Sequence, residues 1–298
     1  VLECVPNVAE GRDARTLDAL ARACADALLD VHADVDHHRS VFTLAGPGER
    51  EAEPAVRALA LAVADQVDLT HHEGAHPRVG ALDVVPFVAL DGSPASDAVD
   101  AAHAFASWAA AALEVPVFLY GDADRAGRNL PDLRRDAFTV RPPDAGPTVP
   151  HPRLGAIAVG ARPVLVAVNC ELATRDVTTA RAIARSVRER DGGLPGVRAL
   201  GLWLRSRGHA QVSMNLVDLA ATGIQRACET VRELARARGS DVARVELVGL
   251  APEAEVARLD DVFRAWSGLD PEQTIESRLR ARAAKVQPSS SNCWTLAP

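Results

Sequence analysis

The chain of 298 residues is long enough for one large domain or two ordinary ones, because a single hydrophobic core stops growing near roughly 250–300 residues. Its 48% hydrophobic and 24% charged content excludes fibrous and disordered classes, and a formal net charge of -7 excludes charge-driven binding to nucleic acid or anionic lipid. Five scattered cysteines without a Cys-x-x-Cys pair, and no uncharged run near the roughly 18–20 residues of a membrane span, predict a soluble, cytoplasmic protein with reduced thiols and no membrane partner.

Leu2-Glu3-Cys4-Val5-Pro6 reads as a short strand. From Asp13 to Ala25 the spacing puts Leu17, Leu20, Ala21 and Cys24 on one helical face, with Asp13 as its cap. Strands are predicted over Leu28–Ala33 and Ser40–Leu44, on either side of a polar His/Asp turn, and an Ala/Leu/Val-rich helix over Glu49–Val67. A His/Gly/Pro-rich connection from Thr70 to Gly80 then enters the Val-rich run Leu82–Leu90, too short for a long helix and read as a strand. A helix over Ser96–Leu113 and a strand over Val115–Tyr120 follow. Residues 121–155 read as irregular connection with one helical group near Leu130–Phe138, and long loops of this kind are often functional.

Beyond a boundary near Gly160 to Pro163 the pattern is cleaner. Strands are predicted over Pro163–Asn169, Val197–Leu204, Ala210–Val217 and Val242–Gly249, with helices over Thr174–Arg190 and Ala221–Arg238 between them. That is the split βαββαβ order of ferredoxin-like sheets, and the first half reads as a rougher copy of it. The predicted class is α/β (α+β): two ferredoxin-like βαββαβ-type subdomains with mixed sheets, over residues 1–162 and 163–287. A last helical stretch is expected over Glu253–Ala265, and a flexible tail over 288–298.

Three clusters carry candidate chemistry. In His71-His72-Glu73-Gly74-Ala75-His76, His76 stands out because Pro77 restricts its backbone and Arg78 and Gly80 lead into a buried strand, so the loop end can hold one rotamer. An imidazole held there can take a proton from an attacking amine and return it to a leaving one. Histidines with Glu73 are also metal-ligand types, but Gly74 and Pro77 break any helical His-x-x-x-His spacing, and no metal is expected. Between two strands, Asp34-Val35-Asp36-His37-His38-Arg39-Ser40 reads as a solvated turn, or else as Asp36 supporting a cationic centre while Arg39 binds a substrate carboxylate. The stiff segment Gly146-Pro147-Thr148-Val149-Pro150-His151-Pro152-Arg153-Leu154-Gly155 reads as an interdomain linker or as the lining of a flat aromatic ligand. No GxGxxG, P-loop or Gly-x-Ser-x-Gly signature favours a nucleotide site or a serine hydrolase.

Glu3-Cys4-Val5-Pro6-Asn7, Glu10-Gly11-Arg12, Asp36-His37-His38-Arg39-Ser40-Val41 and above all His76-Pro77-Arg78-Val79-Gly80-Ala81-Leu82-Asp83 resemble the folate-dependent formiminotransferase family. The similarity continues through Leu119 to Ala123, Gly146 to Gly155, Val159 to Arg162 and Ala210 to Leu216, so it spans most of the chain. It implies two α/β subdomains facing a folate-binding groove, commonly paired as a homodimer. It implies transfer of a formimino group from N-formimino-glutamate to tetrahydrofolate, a step of histidine degradation, by a standalone form without a cyclodeaminase domain. His76 takes the place of the family's catalytic histidine, and Gly146 to Gly155 that of its folate-lining loop. Asp36, His38, Arg39 and Arg78 are the expected supporting residues, and Arg78 and Arg153 candidate partners for carboxylates.

The chain departs from the family's pattern at His38, usually Asn, and Ile157, usually Thr. It also departs at Asn169-Cys170-Glu171-Leu172, where the family has Asn-x-Asn-Leu, and at Arg134-Arg135-Asp136-Ala137, where it has Arg-x-Gly-Glu. Lost polar contacts can change which substrate a groove accepts. Two alternatives therefore stay open: a paralogue transferring a formyl or related one-carbon group, and a non-catalytic folate-binding module.

Overall fold

The computed structural model describes residues 1–46, 52–90 and 92–286. The tail expected over 288–298, and the start of the helix expected from Glu49, lie outside these residues.

The chain opens with β1 (Leu2–Cys4) and β2 (Asn7–Val8), two pieces of one strand broken at Val5-Pro6. Pro6 brings no N–H to the ladder, yet its carbonyl still accepts from Phe42 at 2.9 Å, so both pieces lie between the same neighbours. Then come α1 (Ala14–Ala23), β3 (Leu28–Asp34), β4 (Arg39–Ala45), α2 (Ala52–Gln66) and β5 (Leu82–Ala89). These are followed by α3 (Ala95–Ala112), β6 (Val117–Gly121), α4 (Leu130–Asp136) and β7 (Ile157–Ala161). Across the first sheet the order is β3, β4, the β1–β2 pair, β5, β7, β6, with β7 parallel to both of its neighbours. Counting β1 and β2 as one, the first unit orders its strands second, third, first, fourth, and β7 and β6 extend it.

The second unit, β8 (Val166–Leu172), α5 (Val177–Val187), β9 (Val197–Leu204), β10 (His209–Leu216), α6 (Ile224–Arg236) and β11 (Val242–Val248), forms an antiparallel sheet ordered β11, β8, β10, β9. Read from its far edge this is again second, third, first, fourth. Both units therefore have the ferredoxin-like arrangement that the element order predicts.

Strand alternation decides which way each sheet faces. In β4, Phe42 and Leu44 are fully buried against α1, α2 and α3, while Arg39, Val41 and Thr43 point to the opposite face. In β8 and β10, Val166, Val168, Cys170, Val212 and Met214 pack under α5 and α6, and Ala167, Asn169, Ser213 and Asn215 point away. Each buried Phe or Leu contributes about 1.5–3 kcal/mol, so each unit has its own core, and the two polar faces are left to meet. The helix α4 covers the far side of β5, β7 and β6 through Leu133 against Val84, Phe118 and Ala158.

Several element ends differ from expectation for local reasons. The first helix ends at Ala23 because Ala25 takes a positive φ of 47°, and Asp13 caps its start by accepting from the Arg15 N–H. The helix expected over Glu253–Ala265 is two, α7 (Glu253–Ala257) and α8 (Asp261–Ser267), because Asp260 accepts from the Phe263 N–H and starts a new helix. A further helix, α9 (Ile275–Val286), lies beyond the last helix expected from sequence, and its Arg282 reaches back to Asp26 and the Leu28 carbonyl of the first unit. Cys4, Cys24, Cys170 and Cys228 are free and buried, and burial pushes the Cys24 thiol up to about 12. Among the described residues no helix is long and apolar enough to cross a membrane.

Candidate active site

The two polar sheet faces enclose a groove of about 1090 Å³ open to solvent. Its first-unit wall carries Glu3, Asn7, Asp34, His37, Arg39 and His76, with Arg134 from α4, and its second-unit wall carries Asn169, Ser213 and Asn215. One wall is thus charged and the other a row of neutral amides and a hydroxyl.

His76 is half-buried at the junction of this groove with a shallower concavity lined by Leu69, Gly74, Pro77, Arg78 and Val79. Its Nδ1 lies 2.8 Å from the Pro77 carbonyl, which can only accept, so Nδ1 carries the proton. Nε2 is then the basic nitrogen, and among the described residues it has no hydrogen-bond partner. Burial, followed by the charges of Arg39 and Arg134, holds His76 far below the ordinary imidazole value, against a smaller opposing effect of Asp83. The ring is neutral at neutral pH. His37, tilted against it at 5.9 Å between ring centres, is buried and lies 3.0 Å from Gln211 Oε1 across the groove.

The loop bearing His76 is anchored at its end. Asp83, fully buried at the start of β5, accepts from the Val79 N–H at 2.6 Å through Oδ1, and from Arg39 at 2.6 Å and Arg134 at 2.5 Å through Oδ2. Burial alone would raise this carboxyl, but the two guanidinium groups and the Val79 N–H outweigh it and keep the carboxyl ionised below the usual carboxylate range. Arg39 also donates from Nε to Asn7 Oδ1 at 2.9 Å. At Gly80 a Cβ would come within 1.8 Å of the Ala156 carbonyl oxygen, so only glycine lets the loop pass this close to the neighbouring chain.

Other expected residues lie elsewhere. Asp36 does not line the groove; both its oxygens accept from Ser206, at 2.8 and 2.6 Å. His38 takes a positive φ of 48°, a conformation Asn and His tolerate better than most residues, which fits its replacing the family's Asn. It stacks on His72 at 3.9 Å and faces the Glu73 carbonyl rather than the groove. Arg78 is held on the carbonyl of His72 and lines the shallower concavity.

None of residues 146–155 lines the groove between the two sheets. Its last turn, His151 to Gly155, packs behind the His76 loop: Leu154 accepts from the Ala81 N–H at 2.9 Å, and Arg153 pairs with Asp68 at 3.3 Å and accepts through its carbonyl from Leu69. Ile157 sits in the helix-facing core, and Glu171 is paired with Arg207, so neither departure removes a group from the groove lining. Among the described residues no group of three or more His, Cys, Asp or Glu side chains is placed to hold a metal.

Residues 1–162 match the formiminotransferase domain, N-terminal subdomain, and residues 167–266 match the formiminotransferase domain. The chain belongs to the formiminotransferase family. It is 37% identical to the glutamate formimidoyltransferase of Streptococcus pyogenes serotype M1, over 94% of this chain and 98% of that one. It is 34% identical to the glutamate formimidoyltransferase of Thermoplasma acidophilum, over 95% and 98%. The formimidoyltransferase-cyclodeaminase of Sus scrofa is 39% identical over 85% of this chain and 50% of its own length.

Asp83, Arg134, Asn7, Asp34 and Gln211 have no expected role in the sequence, although most lie in the segments that resemble the family. The available signal was periodicity: Asn7, Arg39 and Gln211 each fall on the non-core face of an alternating strand. Arg134 had only its place on a short helix in a long loop.

Proposed function

We propose that this chain is a glutamate formimidoyltransferase, moving a formimino group from N-formimino-glutamate to tetrahydrofolate, with His76 as its proton-transfer residue. The observation that carries the reading is the His76 imidazole, neutral and with its Nδ1 proton held by Pro77, opening on a groove between two ferredoxin-like units of a formiminotransferase chain.

The reaction is amine exchange at an amidine carbon. As N5 of tetrahydrofolate forms its bond to that carbon, Nε2 of His76 takes the N5 proton; it then gives the proton to the glutamate nitrogen as the old carbon–nitrogen bond breaks. General acid–base help of this kind is worth about 10²–10⁴-fold, and holding both substrates in one groove replaces a bimolecular encounter. The unpaired polar groups fit a pterin and an amidine: the acceptor Asp34 Oδ2 and the hydroxyl Thr43 Oγ1 belong to groove-lining residues, and the donor Gln211 Nε2 belongs to the residue that meets His37, all three buried without hydrogen-bond partners among the described residues. Residues 146–155, set behind the His76 loop, act on the folate site by fixing that loop. Subdomains over 1–162 and 163–287, a cytoplasmic location and a homodimer complete the reading.

The test mixes purified protein with tetrahydrofolate and N-formimino-glutamate and follows folate absorbance. Formation of 5-formimino-tetrahydrofolate is expected. Absence of turnover sinks the reading, and turnover only with 5-formyl-tetrahydrofolate and glutamate replaces it with the formyl paralogue.

A further inference from the structure

Two arginines meet at one buried carboxylate on the wall of this groove. Asp83 Oδ2 accepts from Arg39 Nη1 and Arg134 Nη2, at 2.6 and 2.5 Å, while the side chains of Arg39 and Arg134 remain 10% and 18% exposed where they line the groove. One negative charge between two positive ones leaves a local excess of positive charge beside His76, while the other charged groups lining the groove are Glu3, Asp34 and Arg162 and the row Asn169, Ser213 and Asn215 opposite is neutral. The donors are not used up. Arg134 makes a single hydrogen bond, to Asp83, and its Nε is buried without a partner among the described residues. Both guanidinium groups lie close enough to His76 for their charge to act on its ring.

We propose that Arg39 and Arg134, clamped side by side by Asp83, form the site that takes a carboxylate of the amino-acid substrate beside His76. The proposal rests on the reading above and names which residues recognise the acid. Arg78 and Arg153 do not line this groove. A planar guanidinium fork suits a carboxylate, and a pair held apart by Asp83 offers converging donors without ordering them at the moment of binding. Arrival of the carboxylate also cancels the excess charge next to His76, so the imidazole becomes a stronger base when its substrate is in place.

The test uses glutarate as probe, uncharged glutaramide as control, and the full chain without folate. Titration calorimetry should show glutarate, and not glutaramide, binding to the wild-type protein, and glutarate should shift the His76 ring resonances in NMR spectra. Arg134→Gln should weaken glutarate binding by about tenfold or more, the loss of a charge-assisted hydrogen bond, and Arg134→Lys should restore part of it. The proposal is overturned if glutarate does not bind, if glutaramide binds equally well, or if the His76 signals do not respond in the wild-type protein, a measurement independent of how any variant folds. Arg134→Gln binding within about threefold of wild type also overturns it. Formimino transfer is assayed separately: turnover without glutarate binding removes only the carboxylate site, and glutarate binding without turnover removes only the proposed activity.

Discussion

Ser206 donates both its backbone N–H, at 2.8 Å, and its hydroxyl, at 2.6 Å, to the two carboxylate oxygens of Asp36. The turn between β9 and β10 is thereby fastened to the turn between β3 and β4, and the neighbouring Arg207 lies 3.7 Å from Asp34 and pairs with Glu171. This cluster and the Arg282 contacts of α9 hold the polar faces of the two sheets together. Hydrogen bonds to a charged group contribute about 1.5–3 kcal/mol each, reduced here because Ser206 is partly exposed. Asp36→Ala should therefore lower stability by about 2 kcal/mol in urea unfolding. Ser206→Ala should lower it less, because the backbone donor survives. Equal stability of wild type and Asp36→Ala would show that the tie holds nothing.

Because both Asp36 oxygens are engaged by Ser206, catalysis should depend far more on His76. His76→Ala is expected to reduce kcat by about 10²–10⁴-fold with little change in unfolding free energy. The pH dependence has a definite sign. The base works unprotonated, and burial together with Arg39 and Arg134 lowers its pKa, so the acid limb of kcat/KM should lie below the ordinary imidazole value of about 6.5. A limb at or above that value, measured from pH 4 to 8, would contradict the placement of His76.

Much of the fold could be read in advance because alternation and helical spacing are local: the βαββαβ order of the second unit follows from four apolar strand runs and two amphipathic helices. What could not be read depends on contacts made at long range. The strand read over Leu2–Pro6 stops at the proline, and β2 beyond it is a strand only because β4 and β5 flank it. α9 carries three Arg, one Glu and one Lys in 12 residues, too many charges to announce a buried face, and its docking depends on Arg282 meeting residues more than 250 positions away. In the candidate site, His76 stands out in sequence through its rigid setting and its family segment, whereas Asp83 appears only as the last residue of that segment. Its partners Arg39 and Arg134 are 44 and 51 residues distant. The stiffness of residues 146–155 is visible in sequence, but that their last turn lies behind the His76 loop depends on long-range contacts with Leu69 and Ala81.

His72 offers a separate test of the loop around the site. Its pKa is pushed down to about 4 by burial and by the neighbouring His38 and Arg78, and its Nδ1 is buried without a partner among the described residues. The unfolded chain binds this proton near pH 6.5 and the folded protein only near pH 4. Stability must therefore fall as pH drops through that window. His72→Phe keeps a ring to stack on His38 but cannot take up a proton, so its unfolding free energy should decline less between pH 7 and 5 than that of the wild type. Parallel declines would mean that His72 titrates normally in the folded protein.

Asp83 carries the strongest expectation. Its carboxylate meets Arg39, Arg134 and the Val79 N–H with no solvent contact, so Asp83→Asn keeps the shape while leaving two guanidinium groups without their counter-charge. Breaking a buried pair from one side costs about 3–5 kcal/mol, and the loss should appear as a lowered urea midpoint with an unchanged slope. Because the folded carboxyl is held below its unfolded value, its contribution is fully present above about pH 4 and is lost as pH falls through the folded pKa. The wild type should consequently lose stability on acidification in a range where Asp83→Asn does not. Asn has one acceptor oxygen where Asp has two, so it cannot serve both the Val79 N–H and the arginines, and protection of the amides around His76 to Gly80 from hydrogen exchange should drop more than that of the β8–β10 ladder in the second unit. A variant with reduced global stability but uniform exchange would show that Asp83 supports the core without holding the His76 loop.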